Sequence, residues 1–190
     1  MRKIFLDCGA NDGCSVRKFK KIKKDHQEFE MFSFEPNEVF ERDILETGTQ
    51  LIKKAVWIED GQVDFHVVTV TRYGDETRKT GASTLNTEKS EWNKRVHKEV
   101  KVEKVESIDF SNWVLSNFSK EDYIVLKMDI EGSEYEVLDK MIDDGSIYYV
   151  NELWIEFHWN KCGTPKSKHD NINNFLDTLN IKIDKSWNAM

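Results

Sequence analysis

The chain has 190 residues, and 28 Lys plus Arg against 35 Asp plus Glu leave a net charge of −7. That length suits one domain with a core of its own, and the acidic balance disfavours nucleic acid as a partner, because phosphate binding needs an excess of cations. No apolar run approaches the ~18 residues of a membrane span, no signal-peptide stretch opens the chain, and its three cysteines lack zinc-like spacing, so a reduced, cytoplasmic protein without a membrane partner is expected.

Residues 4–8 form a short apolar run closed by a glycine-containing loop, and Val16, Phe19 and Ile22 follow at helical spacing. Residues 31–34 read as a second strand, stopped at Glu35-Pro36 because proline cannot donate to a sheet ladder. Val39, Phe40 and Ile44 mark a second helix face, and residues 51–58 read as a third strand ending at the Glu59-Asp60-Gly61 turn. The period then changes. Residues 62–70 and 100–105 alternate in the strand manner, so they are expected to pair as an antiparallel ribbon. Between them, residues 71–98 are polar and nearly free of aliphatics, which predicts a long inserted loop over the site.

Phe110, Trp113, Val114 and Phe118 mark a short helix, and residues 123–128 a central strand buried on both faces. Tyr135, Leu138, Met141 and Ile142 give the next helix, residues 153–157 the next strand. Ile172, Phe175, Leu176 and Leu179 mark the last helix, and residues 181–183 a short final strand. Strands alternating with helices predict one α/β domain over residues 1–190, a doubly wound parallel sheet with an added β-ribbon. One helix and one short strand after His158 predict a shortened C-terminal edge, which leaves room for a homo-oligomer.

In such a sheet, ligands bind beyond the carboxyl ends of the strands. The first strand ends in Asp7-Cys8-Gly9-Ala10-Asn11-Asp12-Gly13 and enters a helix. This loop lacks the second glycine of GxGxxG, and no GxxxxGK[ST] loop exists. Asp7 beside a glycine turn suits a ligand with cationic or hydroxyl groups. Glu35 ends the second strand and suits the two hydroxyls of a ribose. Lys127, Asp129 and Glu131 alternate along the central strand, and Glu156 and His158 repeat that spacing on the next. Unpaired charge is costly to bury, so these groups are expected at the mouth of the sheet, with His158 as the proton acceptor near neutral pH.

The segments IFLDCGANDG, FSFEPN, GAST and VLKMDIEGSEYEVL resemble the FkbM-type S-adenosylmethionine-dependent methyltransferases. The resemblance implies a Rossmann-like class I methyltransferase fold and O-methylation of a small molecule or glycan, with S-adenosyl-L-methionine as cofactor. It implies that Asp7, Gly9, Ala10, Asn11 and Gly13 hold the methionine part and that Glu35, with Pro36, holds the ribose. It places the adenine beside Ala55, Val56 and Trp57, with Asp129 on the signature strand. For the reaction, His158 or Asp129 is the expected base, with Glu131 and Lys127 orienting, and Tyr73, Ser83 and Thr84 of the inserted loop cover the substrate. Carboxylates at i, i+2 could also hold a divalent metal. Two alternatives stand beside this reading: a metal-dependent glycosyltransferase using Asp129-Ile130-Glu131, and a non-catalytic methyltransferase-like binding module.

Overall fold

The computed structural model describes residues 1–72, 75–79, 82–95 and 99–187. Strand β1 (Lys3–Cys8) leads through helix α1 (Cys14–Ile22) to β2 (Phe29–Phe34), then through the short α2 (Glu41–Leu45) to β3 (Gln50–Ile52). Strands β8 (Tyr123–Met128), β9 (Val150–Ile155) and β10 (Lys182–Asp184) complete the sheet, alternating with α5 (Glu134–Asp143) and α6 (Lys166–Leu176). Every pairing in this six-stranded sheet is parallel, in the order β3-β2-β1-β8-β9-β10. The expected doubly wound sheet is therefore present, with a single short strand at its C-terminal edge.

Alternation along β1 explains why both faces are covered. Ile4, Leu6 and Cys8 enter one apolar cluster, with α4 (Phe110–Asn117), α5 and α6, while Phe5 enters the other with Phe19 of α1 and Trp154. Phe5 stacks on Phe19 with ring centroids 4.0 Å apart. No helix among the described residues is long and apolar enough to cross a membrane.

The expected third strand is in fact two. After β3, Lys54 N–H donates to the Ile52 carbonyl, a tight turn at the charged Lys53-Lys54 pair. The chain then leaves the central sheet, and β4 (Ala55–Trp57) pairs with β7 (Glu99–Asp109) in a second, four-stranded sheet. There β5 (Gly61–Arg72) runs antiparallel to β7 from Gly61 opposite Ser107 to Thr69 opposite Glu99, which is the expected ribbon. The long loop expected at 71–98 is corrected as well. Its described residues include β6 (Asp75–Lys79) and helix α3 (Thr87–Arg95). The Asn86 side chain accepts from the Lys89 backbone N–H at the start of α3, and Glu88 and Lys94 sit at the ends that a helix dipole favours.

Asp7 lies opposite Lys127 in the pairing of β1 with β8, at the centre of the sheet. The two side chains are 0% and 1% exposed, with Nζ 3.1 Å from Asp7 Oδ1. Lys127 also donates to the carbonyls of Cys8 and Gly9, at 3.1 and 2.7 Å. Burial works against its charge, but Asp7 and Asp129 raise its pKa above the ordinary lysine value. Removing one member of a buried pair strands the other. Lys127→Met should therefore lower the unfolding free energy by about 3–5 kcal/mol in urea titrations, and Asp7→Leu/Lys127→Met should recover much of it.

Candidate active site

The loop after β1 turns sharply at Gly9, whose φ of 78° is left-handed. A Cβ there would run into the carbonyl oxygen of Asp129, so the close crossing of the two loops requires glycine. Gly9 and Ala10 both donate their N–H groups to the Phe34 carbonyl, which ties this turn to the end of β2. Glu35 follows directly. Its carboxylate is 8% exposed and accepts the backbone N–H of Asn11 at 3.0 Å and of Asn37 at 2.9 Å. Burial raises its pKa to about 7, against the opposing pull of those two amides.

Above these turns lies a cleft that is partly open to solvent, with about 590 Å³ of non-protein space that includes its open mouth. Gly9, Asn11, Glu35, Pro36, Ala55 and Val56 line it, as do Ser83, Asp129 and Glu131. These are nine of the residues expected from sequence. Phe34, Phe40, Phe65, Leu85, Ile130 and Ser133 line it too. Phe34, Phe40 and Phe65 read in the sequence as positions on strands and a helix face, but nothing there marked them as walls of a cleft, and Leu85 lies in the stretch expected to be a polar loop.

Other expected site residues lie elsewhere. Asp7 and Lys127 sit beneath the glycine turn and hold it from inside the sheet, and neither lines the cleft. Ala10 is buried behind the turn, and Gly13 caps α1. Trp57 packs against the main core cluster. Thr84 is buried and donates its hydroxyl to the Glu131 carbonyl at 2.6 Å. Tyr73 lies outside the described residues.

His158 is the clearest correction. The ring is 1% exposed and surrounded by carboxylates. Nδ1 lies 3.0 Å from Glu134 Oε1, and Nε2 lies 3.4 Å from both Glu131 Oε2 and Glu156 Oε1. Burial opposes the charged ring, but the contacts with Glu134 and Glu156 and the field of Glu131 raise its pKa to about 10. A ring that keeps its proton at neutral pH cannot take another. Asp129 differs. It lines the cleft, and burial lifts its pKa to about 6 against the pull of Lys127. It is ionised near neutral pH yet more basic than an ordinary carboxylate.

The inserted segment completes the site from above. Lys89 of α3 is 2% exposed, with Nζ 2.9 Å from Glu131 Oε2. Glu131 has a left-handed φ of 56°, uncommon for a residue with a side chain. Its carbonyl is held by Thr84 and its carboxylate by Lys89, so the insertion fixes both of its polar ends.

A parallel doubly wound sheet, with a glycine turn and an acidic strand end facing one cleft, defines the chain as a protein of the Rossmann-like methyltransferase class. The family model for the methyltransferase FkbM domain matches residues 7–183, and the chain belongs to that family. Comparisons with curated proteins and with solved structures found no match.

The field around His158 has a measurable consequence. A raised folded-state pKa contributes stability that is full below the unfolded value, near 6.5, and lost as the pH rises through about 10. In chelator-treated protein, the His158 ring resonances in NMR should stay in their charged positions from pH 6 to 9. A midpoint near 6.5 would show that the carboxylates do not hold the proton.

Proposed function

We infer that this methyltransferase uses S-adenosyl-L-methionine to methylate a hydroxyl of a small molecule or sugar by direct displacement. The observation that carries the reading is the pairing of Glu35 with the glycine turn on one cleft. Glu35 is a nearly buried carboxylate held in place by two backbone amides, so its remaining lone pairs are aimed and fixed. That is the arrangement a vicinal diol needs. Gly9 lets the turn cross close to the Asp129 loop and also lines the cleft, so its backbone is within reach of a ligand there. Ala55, Val56, Phe34 and Phe40 offer an apolar slot of the kind a purine ring fills.

The bound cofactor supplies a methyl group on a sulfonium already activated for displacement. The protein then has to align the acceptor, exclude water and remove a proton. Asp129 is the group in the cleft suited to receive that proton, because its pKa of about 6 leaves it ionised at neutral pH. Glu131 stands beside it, fixed by Thr84 and Lys89. Phe65, Ser83 and Leu85 line the same cleft from the side of the ribbon and the insertion.

Calorimetry with S-adenosylmethionine tests the cofactor assignment. The wild type should bind at micromolar level, and Glu35→Ala should lose most of that affinity. Absence of heat from folded wild-type protein would sink this reading, and heat from uridine diphosphate instead would favour the glycosyltransferase alternative. The pH dependence has a definite sign. Ribose hydroxyls donate to the ionised carboxylate, so protonating Glu35 weakens binding. With its pKa at about 7, affinity should fall about tenfold from pH 8 to pH 6.

A further inference from the structure

The carboxyl ends of the sheet carry a second opening that methyl transfer as described does not use. It is an open groove past the ends of β9 and β10, beside α6, with about 810 Å³ of non-protein space that includes its open side. Phe157, Trp159, His169 and Trp187 supply rings to it, and Asn173 and Ser186 supply polar groups.

The rings are braced. Half-buried Trp159 stacks on His169 with centroids 5.4 Å apart, and Phe157 meets His169 edge-on at 5.1 Å. The fully buried Tyr135 hydroxyl hydrogen-bonds His169 Nδ1 at 2.9 Å, which fixes the stack from the core. Burial lowers the His169 pKa, so the ring is neutral at pH 7. Trp187 stacks on Trp154 and is 5% exposed, yet its indole N–H is buried with no acceptor among the described residues. A buried donor left unpaired is costly, and an oxygen from a ligand in the groove would satisfy it. The Asn173 amide nitrogen is committed to the His169 carbonyl at 3.0 Å, which leaves the amide oxygen to accept.

Charge and shape narrow the ligand. Lys161 pairs with Glu156 and Lys185 with Asp177, so neither cation is left over for an anion. The contact with His158 holds the Glu156 pKa below the ordinary glutamate value, so this carboxylate accepts hydroxyls and repels anions. A groove open on one side leaves part of its occupant in water, which suits a ligand with one apolar face and a rim of hydroxyls rather than a wholly apolar one. Asp129, Glu156 and Lys185 directly follow β8, β9 and β10, which are parallel neighbours. Two strand spacings, about 10 Å, separate the first from the third, more than one sugar ring spans.

We propose that this groove binds a neutral oligosaccharide of two or more residues, with one ring on Trp159 and the next reaching past Glu156 to the cofactor cleft. Glu156 Oε1 lies 3.4 Å from His158 Nε2, which is 3.4 Å from Glu131 Oε2 on the cleft wall, so groove and cleft meet at these carboxylates. The groove's role as the seat of the methyl acceptor rests on the proposed function and narrows its substrate to glycans, whereas saccharide binding itself does not rest on it.

An array of immobilised mono- and oligosaccharides, neutral and acidic, probed with labelled full-length protein without cofactor, tests the groove. The wild type should bind neutral glycans of two or more residues and give at least a tenfold weaker signal on monosaccharides and acidic glycans. Trp159→Ala should lose at least tenfold, and Trp159→Phe should keep most of the signal because a ring remains. Asn173→Ala, a change that favours its helix, should weaken binding about fivefold through one lost hydrogen bond, and it decides if circular dichroism shows Trp159→Ala unfolded. No signal on any neutral glycan from folded wild type, a preference for acidic glycans, or an unchanged signal from the folded variant that decides overturns the proposal. Each outcome is read without S-adenosylmethionine, so its failure and that of the calorimetry are told apart.

Discussion

One buried ion pair governs the geometry of the ligand site. Lys127 lies in the centre of the sheet, next to Asp7 and under the carbonyls of Cys8 and Gly9. Those carbonyls turn inward to the ammonium, and the chain after them rises over the strand ends. A buried charge pair of this kind is a weak source of net stability, since desolvation offsets much of the attraction. Its effect here is on shape. It fixes the direction in which the glycine turn leaves β1, and Gly9 then fits against the Asp129 carbonyl with no room for a side chain.

The two loops that cross at this point carry the groups with unusual acidity. Glu35 and Asp129 are both raised by burial, to about 7 and about 6. Amides from Asn11 and Asn37 hold the first, and the field of Lys127 moderates the second. His158 moves the other way in function although its pKa also rises, because carboxylates on both ring nitrogens favour the cation. Three groups that share a sheet mouth are thus given different acidities by their neighbours, as burial and paired charge often arrange in sites.

The central sheet was legible because its strands are apolar on both faces and its helices carry clean periodicity, as at Ile172, Phe175 and Leu176. Charged residues at strand ends announced the site for the same reason, since an apolar strand has no packing use for Asp129 or Glu131. The failures share a cause. Helix α3 has almost no apolar period, and only the Asn86 cap and the charges at its ends signal it. The division of residues 51–58 between two sheets depends on a turn at two lysines that propensity does not single out. His158 looked like a base because spacing places it near acids, but not how many acids or on which nitrogens. The apolar cleft walls, Phe34, Phe40 and Phe65, read only as core.

The tight turn at Lys53-Lys54 has a mechanical consequence. Glu35 stands at the end of a strand of the central sheet, whereas Ala55 and Val56 belong to a strand of the ribbon sheet, so one cleft has a wall on each. Phe65, Ser83 and Leu85 line it from the ribbon side too. Anything that tilts the ribbon changes the width of the slot and the position of these residues at once. On the proposed function, rebuilding the insertion to change the acceptor would therefore also alter the slot assigned to the cofactor, and the two properties would have to evolve together.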